Sequence, residues 1–281
     1  MNQTVVITGT TQGIGRVTAQ ALAAAGCHVI MLVRNRSAGG QVRAHLRAHY
    51  PNSAIEVIQC DLASLASVRA AAAQVRVGGA VIDCLINNAG MVSMRRELSA
   101  DGFEKVFATN HLGPFLLTEL VRPCMAPAGQ IINVASRAHL KGTLDLGEVI
   151  APLGSRFAAR AIYAQSKLAN VMHTFALARR LEGSGIRVNC LHPGVVKTRL
   201  LPAWLRVIKP LISPGMIDAE AGARSTLYLA LSDQARTLNG VYLDEQQQVV
   251  AASALARSVA LQEALWAASC AWAGLPQSET Q

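Results

Sequence analysis

Aromatic residues make up only 4% of this 281-residue sequence, and Asp, Glu, Lys and Arg together only 15%. So little charge, with 51% hydrophobic residues, excludes a disordered or solvating chain. The apolar content is aliphatic, mostly Ala, Val, Leu and Ile, which suits a buried parallel sheet under alanine-rich helices. No uncharged apolar stretch of ~18 residues stands out as a bilayer span. No basic segment and long apolar run precede Thr4-Val5-Val6-Ile7, so a cytoplasmic chain without a signal peptide is expected. The six cysteines form no CxxC and no zinc-finger spacing; Cys60, Cys84 and Cys190 lie in strand-like runs, where reduced thiols are expected. The seven histidines form no HExxH, so no metal is expected. Acidic residues are few, 17 against 26 basic, but the net charge of +9 is scattered without a basic run or interleaved aromatics, so nucleic acid is not expected as a partner. Internal repeats and Pro/Gly/Ser linkers are also missing, and residues 1–281 are expected to form one domain.

Short apolar runs are present in regular alternation with longer helical patterns. The runs are Val5–Thr8, His28–Val33, Ile55–Cys60, Ile82–Ile86, Gln130–Ala135, Val188–Leu191 and Val241–Leu243. Helices are predicted over 13–26, 38–49, 64–77, 101–120, 157–182, 217–231 and 247–273. This order predicts an α/β fold, a doubly wound parallel sheet of seven strands with helices on both faces. Ligands of such sheets bind beyond the carboxyl ends of the strands, so the residues there carry the functional reading.

After the first run comes Gly9-Thr10-Thr11-Gln12-Gly13-Ile14-Gly15, leading into an alanine-rich helix. Glycines here permit a tight turn and let a phosphate reach the bare amides of a helix N-terminus. After the second run stand Arg34-Asn35-Arg36, where an NAD-selective site would place a carboxylate for the ribose 2′-hydroxyl. A guanidinium suits a 2′-phosphate instead, through bidentate charge-assisted bonds. The third run ends at Asp61-Leu62; the aspartate either accepts from an adenine amino group or caps the next helix. The fourth ends at Asn87-Asn88-Ala89-Gly90, small enough for close approach of a cofactor, although asparagine-rich turns are ordinary. The fifth ends at Ser136. Tyr163 and Lys167, four apart, share one face of a long helix. An ammonium beside the phenol would lower the phenol pKa and make it a usable acid or base, while such a pair is also common on exposed helices.

Taken in order, these motifs, with Asn110 and His192-Pro193-Gly194, resemble the short-chain dehydrogenase/reductase family over essentially the whole chain. Val33-Arg34-Asn35, Asn133-Val134-Ala135-Ser136-Arg137-Ala138-His139 and Ser166-Lys167-Leu168-Ala169-Asn170 are similar to the retinol dehydrogenase-like branch. The resemblance implies a Rossmann-type fold and a catalytic set of Asn110, Ser136, Tyr163 and Lys167. Tyr163 would exchange a proton with the carbonyl or alcohol oxygen, Lys167 would lower its pKa and hold the nicotinamide ribose, Ser136 would bind the substrate oxygen, and Asn110 would position a water. The cofactor would lie along Gly9, Thr11, Gln12, Gly13, Ile14, Gly15, Arg34, Asn35, Asp61, Leu62, Asn88, Ala89, Gly90, Tyr163, Lys167, Pro193, Gly194, Val196 and Thr198. NADP(H) is expected in preference to NAD(H), in agreement with Arg34. Ala135 departs from the family, which often has a first serine there.

Segment 197–217, with Leu200, Leu201, Trp204, Leu205, Val207, Ile208, Leu211 and Ile212, is read as a lid over a hydrophobic small-molecule substrate. The same side chains would serve core or subunit packing, and with Arg199, Arg206 and Lys209 they would serve a membrane surface or an acidic carrier protein. Monomer, dimer and tetramer all remain open. The alternative chemistry is a tailoring ketoreductase, or a C=C or C=N reductase, on an aromatic or polyketide-like product. The non-enzymatic alternative is an NADPH-bound sensor.

Overall fold

The computed structural model describes residues 3–147, 149, 158–196 and 217–276. Seven parallel strands form one sheet in the order β3-β2-β1-β4-β5-β6-β7. They are β1 (Thr4–Thr8), β2 (His28–Val33), β3 (Ile55–Gln59), β4 (Ile82–Asn87), β5 (Met125–Val134), β6 (Arg187–Leu191) and β7 (Tyr242–Leu243). Their connections include α1 (Gly13–Ala24), α2 (Arg36–His49), α3 (Leu65–Val77), a short α4 (Lys105–Phe107), α5 (Gly113–Val121), α6 (Ala159–Arg180) and α7 (Ala219–Leu231). Two further helices, α8 (Ala254–Arg257) and α9 (Val259–Ala273), follow β7.

Alternation within the strands splits the core into two layers. Val5, Ile7, Val29 and Met31 point to the side where buried residues of α1, α2 and α7 lie. Val6, Ile30, Leu32 and Leu85 point to the side covered by α3, α5, α6 and α9. The order reverses between β1 and β4, and the crevice at that reversal is where such sheets bind ligands. β4 and β5 carry a polar ladder across this point. Asn87 Nδ2 donates to Asn133 Oδ1 (2.8 Å) and Thr118 Oγ1 (3.0 Å), and Asn133 Nδ2 donates to Thr174 Oγ1 (2.9 Å). These buried amides therefore tie the two central strands to α5 and α6.

Some boundaries differ from the sequence reading. β5 starts at Met125, five residues early, with Pro127 and Gly129 in its irregular first half, where the register against β4 shifts. The stretch read as one helix from 101 begins at Lys105, capped by the Glu104 carboxylate on Phe107 N, and widens into a π-turn at Ala108–Leu112. The terminal stretch 247–273 is two helices, because Ser253 and Ser258 each cap a new start on Ala256 N and Leu261 N. Gln247, at φ 67°, lies in a tight turn instead.

Gly113 opens α5 directly against the end of β3. A Cβ there would lie 2.3 Å from the Leu62 carbonyl oxygen. Gly113→Ala is expected to destabilise the fold by about 1–3 kcal/mol through overpacking, despite alanine's better helix propensity. Chemical denaturation would show this as a lowered midpoint at unchanged slope.

Candidate active site

Along the carboxyl ends of β1 to β5 runs a cleft of about 460 Å³. Its floor is built by β1 and β4. Thr8 Oγ1 accepts from Asn88 N (3.0 Å) and Ala89 N (2.9 Å), and Asn88 Nδ2 donates back to Thr8 O (2.8 Å) and Gly9 O (3.3 Å). The turn after β1 needs its glycines. Gly9 and Gly13 have φ of 75° and 57°, and a Cβ on Gly15 would fall 2.2 Å from Gly9 O and 2.4 Å from Asn88 Nδ2. Gln12, at the N-cap of α1, makes no side-chain cap, and the first turn has no acidic residue. The amides of that helix start and its positive dipole end thus suit an anion.

Arg34 is exposed on the cleft wall at the end of β2, next to Asn35, whose Oδ1 caps α2 by accepting from Ala38 N (2.9 Å). Asp61 and Leu62 line the next section. Asp61 Oδ1 accepts from Ala63 N (3.0 Å), a local turn, whereas α3 is capped by Ser64. Thr11, Gln12, Ile14, Asn88, Ala89, Gly90, Tyr163, Lys167 and Pro193 also line the cleft. Gly194 and Val196 do not. Gly194 turns the chain at φ 77°, and Val196 and Ile14 both pack on Gly222 of α7. Thr198 and nearly all of the 197–217 segment lie outside the described residues. Thr8, Leu32, Val33, Cys60, Met91, Thr109, Val134 and Ala135 complete the wall, although the sequence reading assigns none of them to the site. Most of them stand at or beside a strand end, whereas Thr109 comes from the π-turn.

Tyr163 and Lys167 project from α6 into the inner end, with Lys167 Nζ 6.0 Å from the Tyr163 ring centre. Ser136 follows β5 and caps a 3-10 turn, Arg137–Lys141, through Ala138 N (3.2 Å). Its hydroxyl lies near enough to the Tyr163 phenol to act on that group's pKa. The spacing had suggested a phenol pKa lowered by lysine. Burial instead pushes the Tyr163 phenol up, opposed only by the Ser136 hydroxyl. The reason is visible in Lys167. Its ammonium is buried, is drawn down to about 8, and donates to Val134 O (2.8 Å) rather than to the phenol. Asn110, in the π-turn, is braced rather than poised. Its carboxamide exchanges two bonds with Met91 (2.7 and 2.9 Å) and donates to Ser166 Oγ (3.0 Å). π-turns recur at functional sites, and this one sets Asn110 between the β4 loop and α6.

A bare helix start for an anion at one end of a cleft, a half-buried phenol and a buried amine at the other, and the half-buried Ser136 hydroxyl beside the phenol, mark a nucleotide-dependent oxidoreductase of the doubly wound class. Comparison with known proteins makes the class specific. The family model for short chain dehydrogenase matches residues 3–206. A human relative, dehydrogenase/reductase SDR family member 13, is 37% identical over 99% of this chain and 74% of its own length. Human retinol dehydrogenase 12 is 35% identical over 96% of this chain and 86% of its own. Among solved structures, an uncharacterized protein from Mycobacterium Paratuberculosis superposes with a TM-score of 0.80 at 35% identity, covering 97% of this chain and 94% of that one. A metagenomic blue fluorescent protein in complex with NADPH superposes at 0.71 with 27% identity, covering 86% and 95%. The chain belongs to the short-chain dehydrogenase/reductase family, in its retinol dehydrogenase-like branch.

Among the described residues no helix is long and apolar enough to cross a membrane. All six cysteines are free thiols.

Proposed function

We propose that this protein is an NADP(H)-dependent oxidoreductase acting on the carbonyl or alcohol of a hydrophobic small molecule. The observation that carries the cofactor half is Arg34, a solvent-facing guanidinium on the cleft wall where a carboxylate would select NAD. The glycine turn and the uncapped start of α1 fit a pyrophosphate, and a solved relative was crystallised with NADPH. Bound there, the nicotinamide supplies or accepts hydride.

The chain's own residues handle the proton and the orientation. Tyr163, kept protonated by burial, is the proton donor to a carbonyl oxygen. Ser136, whose oxygen already accepts from Ala138 N, directs its own proton at the same oxygen, where charge develops. Lys167, buried beside the phenol, would hold the nicotinamide ribose. Asn110 has its carboxamide committed to Met91 and Ser166 and braces the turn beside α6. Hydrophobic substrates are favoured by the Leu, Ile, Val and Trp content of segment 197–217.

The test is NADPH oxidation followed at 340 nm against apolar aldehydes and ketones, with retinal, a ketosteroid and an aromatic polyketide mimic in the panel. Steady turnover of at least one carbonyl supports the proposal; tight NADPH binding without turnover of any would defeat it. Arg34→Asp is expected to shift the NADPH/NADH preference toward NADH by tenfold or more, about 1.4 kcal/mol, through loss of a charge-assisted phosphate contact. An unchanged ratio would remove Arg34 from the 2′-phosphate.

A further inference from the structure

Ser136 is held by one side chain that does not reach the cleft. The Ser136 carbonyl accepts from His139 N (3.1 Å) and also lies 2.8 Å from His139 Nδ1. On its other edge, His139 Nε2 lies 3.3 Å from Ser253 N, which can only donate. Nε2 must therefore be a bare acceptor and Nδ1 must carry the proton, which fixes one neutral tautomer. The ring is fully buried and cannot turn. Tyr242 of β7 packs edge-on against it at 4.7 Å, His192 stacks behind Tyr242 at 5.4 Å, and His192 Nε2 meets Glu245 at 2.7 Å. The charges around this group are Glu245, Asp244 and Arg137 about Tyr242 and His192, with His192 the neighbour acting on His139 itself.

We propose that His139 is the positioning residue for the Ser136 hydroxyl, acting through the Nδ1–H bond to the Ser136 carbonyl with its orientation locked by Ser253. The proposal rests on the catalytic reading of Ser136 given above. His139 is fully buried, and its contact with the site is through the Ser136 carbonyl. The Ser136 backbone takes two donors from His139 and its hydroxyl takes one from Ala138, so the 3-10 turn aims the side chain at Tyr163. A group aimed at developing charge loses much of its effect when displaced by a fraction of an ångström, which is why the tie matters.

The experiment compares Ser136→Ala, His139→Asn, His139→Gln and His139→Phe with the parent for kcat, KM, NADPH affinity and melting temperature. Asparagine can place Nδ2 where Nδ1 stands. It is expected to retain kcat within about threefold. Glutamine and phenylalanine cannot donate from that point. They are expected to lower kcat about tenfold or more, with KM and NADPH affinity unchanged. A space-filling role would give the opposite order, with phenylalanine mildest and asparagine worst. Parental kcat in the Gln or Phe variants, or an Asn variant as poor as Phe, would overturn the proposal. Loss of activity in Ser136→Ala beside full activity in His139→Phe would overturn the role of His139 alone. A fully active Ser136→Ala would remove the reading of Ser136 and this proposal with it. Should the Gln and Phe variants fail to fold, imidazole 15N–1H correlation of the parent decides. The resonance that disappears in His139→Asn must report a protonated Nδ1 and a bare Nε2, and a protonated Nε2 would overturn the proposal.

Discussion

Tyr163→Phe is expected to lower carbonyl reduction by a factor of about 10² or more while leaving the fold and NADPH binding in place. The substitution removes one oxygen and keeps the ring, which lines the cleft beside Lys167. What is lost is the proton donor. In this structure the phenol is held protonated by burial, so at neutral pH it is ready as an acid rather than as a base. Reduction should therefore stay nearly flat with pH through the neutral range. Alcohol oxidation, which needs the phenolate, should rise toward alkaline pH. Single-turnover NADPH oxidation, with cofactor binding followed by fluorescence, separates the chemical step from binding. A Phe variant that turns over at near the parental rate would mean that the proton comes from another group.

Mild acid is expected to destabilise this protein before its surface carboxylates titrate. His111 and His173 lie fully enclosed between the π-turn, α6 and α9, 6.0 Å apart between ring centres, among Phe115, Trp266 and Ser269. Burial holds both imidazoles neutral and draws each down to about 3, with Arg180 adding to the effect on His173. The unfolded chain releases them to titrate near 6.5. Below that value the unfolded state takes up protons that the folded state refuses, so the stability present above pH 6.5 is lost progressively toward pH 3. At pH 5 the two together cost roughly 4 kcal/mol, which for a chain of this size is a fall in melting temperature of about 10 °C. Glu104 and Glu119, whose buried carboxyls are raised, act in the opposite sense and flatten the curve at the acid end. Circular dichroism melts at pH 7.5 and 5.0 test this, with His173→Phe expected to show a clearly smaller drop. Equal drops in the variant and the parent would place the acid sensitivity elsewhere.

Strands such as β2 were legible as unbroken apolar runs buried on both faces, as Val29–Val33 shows. The first half of β5 was hidden because Pro127 and Gly129 argue against a strand, and only pairing of Met125 with Ile82 makes it one. The break before α9 was signalled by Ser258, a capping residue that an alanine-rich helical pattern hides. At the site, glycine spacing and the Tyr163–Lys167 interval pointed to residues that share one cleft. The interval could not reveal that Lys167 turns to the Val134 carbonyl, because that partner comes from a strand 33 residues away. The role of Thr8 was hidden for a similar reason. Its work is to accept two amides from β4, which no local pattern announces.

The two rims of the sheet bear on how copies of this chain can meet. β3, at one rim, is five residues long and carries exposed Glu56 and Gln59. β7, at the other, is two residues long, and the chain folds back over it so that Leu243 bridges Val249 and the Tyr242 carbonyl accepts from Val250 N. One rim is short and polar, and the other is already occupied by its own chain. Neither offers the long, open ladder that edge-to-edge pairing and fibril growth require. A copy that met this sheet rim to rim would have to unravel a strand or a turn before it could pair.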